Sequence, residues 1–298
     1  MKELSKKLTS GEVLIADGGM GTSLQNKGLA SGEAPEKWNL EHPEKVVEVH
    51  KSFLKAGADL IECNTFGANR IRLQETGLSN RAAEINQTAV KLARRAREEV
   101  AKEEIWIAGS LGPTGKMYQP LGKLKHQDAL TAYREQISFL VEAGVDLLIL
   151  ETITIIDEMI QFLKAAEQFT VPVVVQMNFR EDKKTVMGVS MKDFLEVAEE
   201  YGVTAAGINC TPGPAVTWDL VYEISKHTEL PLSVFPNAGE PELHMGDVVY
   251  PENRANFMKY VKPFIDHGVQ IIGGCCGTTP EIISALSERA AEVAAEEE

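Results

Sequence analysis

"HQDALTAYREQISFLVEAGVDLLILE" (126–151) decides the fold. Apolar residues recur at helical spacing up to Leu140, Gly144 suits the left-handed residue that ends a helix, and a short apolar run then finishes on Glu151. Seven more short apolar runs stand along the chain: "EVLIAD" (12–17), "DLIECN" (59–64), "IWIAGS" (105–110), "PVVVQMN" (172–178), "TAAGINC" (204–210), "LPLSVFPN" (230–237) and "QIIGGCC" (270–276). Each is followed by a helical pattern, among them "PEKVVEVHKSFLKAGA", "NRAAEINQTAVKLARRAREEVAKEE", "SMKDFLEVAEEYG" and "NRANFMKYVKPFIDHGV". Eight strand-then-helix units predict an α/β fold, a (β/α)8 TIM barrel, as a single domain over residues 1–298. The alternative is a doubly wound open sheet. Its phosphate-binding signature is missing, because "DGGMGTSLQNKG" (17–28) has neither G-x-G-x-x-G spacing nor the lysine of a P-loop. No linker or repeat divides the chain, and only the acidic "AAEEE" end reads as frayed.

Composition narrows the function. The chain has 298 residues, 44% of them hydrophobic, which is enough for a large core. Its 30 basic and 44 acidic residues give a formal charge of −14, which disfavours nucleic acid and anionic lipid as partners. "MKELSKKLTSG" lacks the apolar segment of a signal peptide and no run is long enough to span a membrane, so the expected location is the cytoplasm. Four cysteines in a reducing compartment suggest metal or catalysis before disulfides.

In this barrel the active site forms at the C-terminal ends of the strands. The runs end on Asp17, Cys63 with Asn64, Ser110, Glu151, Asn178, Cys210, Asn237, and Cys275 with Cys276. Neighbouring cysteines close only a strained ring, so Cys275 and Cys276 call for a third partner. Gly273, Gly274 and Gly277 let the backbone turn and bring both sulfurs to one side, toward Cys210 on the sixth strand. Three soft thiolates indicate zinc, and three protein ligands leave the open position of a catalytic site. The competing reading is a pair of small buried thiols beside tight-turn glycines. Cys63, with no thiol neighbour, reads as a core residue. Asp17 and Glu151 are candidate partners for a cation, or else a turn residue and a lysine-paired surface carboxylate. The histidines, His42, His50, His126, His227, His244 and His267, are scattered and none is assigned to the metal.

"DGGMGT", "NTFGANRIRL", "GPTG", "LETIT", "GINC", "PNAG" and "GGCCGTTPEII" occur in order, one per strand end, over about residues 10–290. Together they resemble the homocysteine S-methyltransferase family, and within it the homocysteine-binding module of cobalamin-dependent methionine synthase. The resemblance implies a zinc barrel in which Cys210, Cys275 and Cys276 hold the metal and the substrate thiol takes the open position. It further implies that Asp17 and Glu151 meet the substrate ammonium, with backbone amides near Gly18 and Gly19 at its carboxylate. Asn237 in "FPNAGEP" is expected at the open zinc position or beside it, or serves as a turn residue.

Family members draw the methyl group from betaine, S-methylmethionine, S-adenosylmethionine or a methylated corrinoid. A quaternary ammonium donor needs an aromatic cage. Thr152 and Phe66 stand where betaine users carry other aromatic residues, leaving Trp38 alone. The expected donor is therefore methylcobalamin on a corrinoid-carrying partner, with the sulfonium donors as the alternative. Ser110 departs from the acidic residue that relatives often carry. Two readings from other classes are a non-catalytic zinc and thiol-binding module, and a lyase or aldolase with a hard metal at Asp17, Glu151 and Asn178.

Overall fold

The computed structural model describes residues 4, 6–8, 11–101, 104–244, 247–251 and 253–297. Seven parallel strands precede a small hairpin: β1 (Leu14–Ile15), β2 (Leu60–Glu62), β3 (Trp106–Leu111), β4 (Leu147–Ile153), β5 (Val173–Met177), β6 (Ala205–Asn209) and β7 (Leu232–Phe235). The hairpin is β8 (Glu242–His244) and β9 (Asp247–Val249), and β10 (Val269–Ile272) is the last strand of the barrel. The eight-stranded sheet runs β1-β10-β7-β6-β5-β4-β3-β2. A parallel bridge from Ala16 to Leu60, with the Asp59 N–H on the Ile15 carbonyl and the Asp17 N–H on the Leu60 carbonyl, joins its two ends. The sheet is a closed barrel, which removes the doubly wound alternative.

The local chemistry of 126–151 explains one unit. The helix His126–Ala143 buries Ala129, Ala132, Tyr133, Gln136, Ile137 and Leu140, a stripe at three- and four-residue intervals. Gly144 ends it at φ 89°, its N–H on the Leu140 carbonyl. In β4, Leu147 and Ile149 face the barrel interior while Leu148 and Leu150 face the helices. The same period of two carries Leu60 inward and Ile61 and Cys63 outward on β2. Cys63 is accordingly a buried core residue.

The observed strands are shorter than the apolar runs. The run 270–276 divides into strand as far as Ile272 and loop from Gly273, and the run 12–17 keeps only Leu14–Ile15. The terminal helix Pro280–Glu297 runs into the stretch that reads as frayed, whose last residue, Glu298, lies outside the described residues. Leu4 and Leu8, which no sequence pattern marked, are fully buried among inward residues such as Leu14, Leu60 and Leu147. Among the described residues no helix is long and apolar enough to cross a membrane.

Candidate active site

The cavity of about 480 Å³ that takes in Cys210, Cys275, Cys276 and Glu151 opens at the C-terminal ends of the strands. Its thiol wall is built by loops. Cys210 follows β6 at φ 55°, a left-handed conformation unusual for a residue with a side chain. The Asn178 amide donates to the carbonyls of Asn209 and Cys210 and holds that turn. Cys275 and Cys276 lie beyond β10, where the Cys275 N–H donates to the Pro236 carbonyl and the Cys276 N–H to Asn237 Oδ1, 3.1 Å away. Gly277, at φ 78°, completes the turn, and a Cβ there would fall 2.2 Å from the Tyr250 ring.

The result is three half-buried sulfurs within 4.8 Å of one another, Cys210 and Cys275 only 2.9 Å apart. Among the described residues this is the one group of three or more metal-binding side chains, and it contains no histidine. The hard-metal arrangement at Asp17, Glu151 and Asn178 is not assembled in the cavity: Glu151 lines it, and Asp17 and Asn178 do not. The Cys276 thiol is held well below its ordinary value, chiefly by hydrogen bonds from Cys210 and Cys275, with Tyr250 adding another. Cys275 is pushed up by the same sharing. Three thiols this close, with the thiolate form favoured at Cys276, suit a soft cation.

The carboxyl wall is built by β4 and β2. The register of β4 against β5 shifts between Leu150 and Ile153, a bulge that turns Glu151 into the cavity and leaves Thr152 at φ 59°. Glu151 Oε1 accepts from the Ser110 hydroxyl at 2.6 Å and Oε2 from the Asn209 amide at 3.1 Å. Burial and the negative charge at Cys276 push its carboxyl up to about 7, against the pull of Ser110 and Asn209. Among the described residues no lysine pairs with it, so the lysine-paired reading of Glu151 is not supported.

Asp17 is set back from the cavity. It is 1% exposed and does not line the cavity; its Oδ2 accepts the Glu62 N–H at 3.1 Å, while Oδ1 is buried with no partner among the described residues. Glu62 lines the cavity in its place. Burial raises both carboxyls well above the usual range, and Glu151 raises each further. Glu62 lies two residues short of the end of "DLIECN", so a reading of strand ends alone passes over it. The available signal was a carboxylate inside an apolar run, two residues from an inward leucine.

Gly18 and Gly19 line the cavity, and both are required by close approach. A Cβ would lie 2.6 Å from the Thr278 carbonyl at Gly18 and 2.8 Å from the Cys275 carbonyl at Gly19. The Gly19 N–H is already given to the Thr278 carbonyl, so that amide is not free for a carboxylate. Asn237 sits beside the cluster as a brace on Cys276 and does not line the cavity. Trp38 is 2% exposed and packed in the core, also away from the lining. Phe66 is the one aromatic ring among the described lining residues, and the Arg72 guanidinium stands 5.7 Å from its centre.

The homocysteine S-methyltransferase family model matches residues 14–290. The chain belongs to that family. It has the family's barrel. A methionine synthase of Mycobacterium leprae is 31% identical over 294 residues, covering 92% of this chain and 24% of that protein. The methionine synthase of Mycobacterium tuberculosis is 29% identical, with 95% and 25% covered. The chain thus spans about a quarter of the length of these relatives. The metallated form of the homocysteine methyltransferase MmuM of Escherichia coli superposes with a TM-score of 0.82 at 26% identity, covering 96% of this chain and 99% of that one.

Proposed function

We propose that residues 1–298 act as one unit, a zinc-dependent homocysteine S-methyltransferase that forms methionine. The observation that carries this reading is the meeting of three thiols and buried carboxyls in one cavity. The donor set fits zinc: three soft sulfurs on one side, with no fourth cysteine or histidine among the described residues to close the shell. When bound there, zinc supplies a Lewis acid that keeps the substrate thiol as the nucleophilic thiolate at neutral pH, where a free thiol of pKa about 8.5 is mostly protonated. Cys210, Cys275 and Cys276 would hold it, with the Asn237 side chain and the Asn178 amide fixing the loops that aim them. The carboxyl wall answers the ammonium of an amino-acid substrate, since buried carboxyls need an opposite charge. Reduced thiols of this kind suit a cytoplasmic setting.

For the methyl donor we favour a methylated corrinoid such as methylcobalamin on a partner protein. Two features support it. Among the described residues the lining offers one aromatic ring, Phe66, which already faces Arg72, and one ring does not make a cage for a quaternary ammonium. The loops at the mouth also carry exposed apolar side chains: Met117 and Leu121 after β3, Val186 and Met187 after β5, and Leu243 on the hairpin after β7. Leu121 and Leu243 are each 81% exposed, as a docking rim would be in the absence of its partner. A second reading, a small sulfonium donor, is favoured by the cavity itself: about 480 Å³ exceeds what homocysteine alone fills. Metal analysis together with methionine formation from homocysteine and methylcobalamin, betaine, S-methylmethionine or S-adenosylmethionine decides the matter. Zinc at one per chain with turnover on methylcobalamin alone is the expected result. Turnover on a small donor and none on methylcobalamin overturns the corrinoid assignment.

A further inference from the structure

Tyr250 stands one residue beyond β9, at the foot of the hairpin that follows β7, and turns its ring onto the cysteine loop. The ring packs on Gly277: a Cβ built there would lie 2.2 Å from Tyr250 Cγ, 2.4 Å from its Cβ and 2.7 Å from its Cδ2. From that seat the phenol hydroxyl hydrogen-bonds the Cys276 sulfur, with Cys210 and Cys275 near enough to act on it through their charge. Tyr250 does not line the cavity, whereas all three cysteines do. The hydroxyl therefore meets Cys276 from outside the space a substrate would fill. The backbone of Cys276 is held without it: the N–H donates to Asn237 Oδ1 at 3.1 Å and the carbonyl accepts the Ala238 N–H at 2.9 Å. What the phenol adds falls on the sulfur. Three thiolates outweigh the charge of one divalent cation, and an O–H donor onto one of them spreads that excess and aims the sulfur's lone pairs.

We propose that Tyr250 is a positioning residue of the metal centre, whose hydroxyl donates to Cys276 Sγ from outside the cavity, strengthens metal binding and sets how much charge that sulfur gives the metal. The inference rests on the three cysteines holding a metal, and is independent of the substrate and of the methyl donor. It gives the hairpin, an element outside the barrel, a part in the chemistry of the site.

The test loads the full chain with cobalt(II), whose absorption bands are visible where those of zinc are not. It compares wild type with Tyr250→Phe, which keeps the ring on Gly277 and removes only the hydroxyl. The sulfur-to-cobalt charge-transfer band should move to longer wavelength in Tyr250→Phe, because a sulfur lone pair that loses its hydrogen bond rises in energy. The ligand-field bands, which report coordination geometry, should stay in place. Zinc affinity, measured by competition with a chelator, should fall about 10-fold, as the loss of an outer partner of a metal ligand does. Tyr222→Phe, on the exposed face of the helix Pro214–Ile224, should change neither. A charge-transfer band that does not move overturns the proposal even if zinc affinity falls, since packing alone then accounts for the loss. Movement of both sets of bands overturns it too, because the ring then holds the shape of the loop. Should Tyr250→Phe fail to fold, wild type made with 3-fluorotyrosine carries the test: its phenol is the stronger donor, so the charge-transfer band should move to shorter wavelength, and an unmoved band removes the contact. If wild type takes up neither cobalt nor zinc, the metal reading falls and takes this inference with it. If wild type binds the metal and Tyr250→Phe shows the same band, only the Tyr250 contact falls.

Discussion

Cys210 and Thr152, both lining the cavity, hold positive φ, 55° and 59°, a conformation that costs each side-chain-bearing residue about 1–3 kcal/mol. Each is over-determined by an asparagine. Asn178 donates to the Cys210 carbonyl, and Asn209 accepts the Thr152 N–H while donating to the Thr152 hydroxyl and to Glu151. At this scale the metal assignment is directly testable: Cys210→Ser should lose zinc and Cys63→Ser, altered in the core, should keep one zinc per chain by elemental analysis. The reverse pattern would dismiss the three-cysteine site. Ser110 tests the carboxyl. Its hydroxyl lowers the Glu151 carboxyl, so Ser110→Ala should raise it further. Because the ammonium pairs with the ionised form, the onset of homocysteine binding should then move to higher pH by about one unit, read by titration calorimetry across pH 6–9.

Elements set these residues in place through two irregularities. The bulge in β4 turns Glu151 inward, and the loop after β10 turns back at Gly277 beneath the Tyr250 ring. Gly277→Ala combines a left-handed φ of 78° with a Cβ 2.2 Å from that ring, so the loop or Tyr250 must move. We expect about 1–3 kcal/mol of lost stability, together with weaker zinc retention against a chelator. Unchanged zinc affinity would show that the turn can shift without disturbing Cys275 and Cys276. The hairpin β8–β9 and the loop after β3 test the donor at the same scale. Leu121→Asp with Leu243→Asp should reduce methyl transfer from a protein-borne corrinoid and leave homocysteine binding unchanged, since both side chains lie outside the cavity lining.

The whole molecule carries a formal charge of −14 and places three carboxyls together in its barrel mouth. Glu151 rises from an ordinary 4.5 to about 7. A group whose folded value is raised binds its proton more tightly in the folded state, so its contribution is present at low pH and lost as pH climbs through the folded value. The substrate-free protein should therefore lose about 3 kcal/mol from Glu151 between pH 4.5 and 7. Melting temperature against pH should fall across that window in wild type and be flatter in Glu151→Gln. A matching slope in both proteins would show that Glu151 is not a buried titrating group.

Much was legible from the sequence alone. Helical and strand periods are properties of successive residues, so the eight apolar runs and the helices between them specify the barrel. Neighbouring cysteines among glycines announce a turn that gathers sulfurs, and period two already sends Cys63 to the core. What the sequence does not contain is the distance between residues far apart in the chain. Cys210 and Cys275 are 65 positions apart and meet only because the closed barrel brings the ends of β6 and β10 to one mouth. Tertiary structure alone withdrew Asp17 behind the wall and exposed Glu62, because which carboxyl reaches the cavity depends on strand register and on a backbone N–H from one strand landing on a side chain of another. It also buried Trp38 and sent Leu4 and Leu8 into the barrel interior, since packing there is decided by the shape of the space that closure leaves.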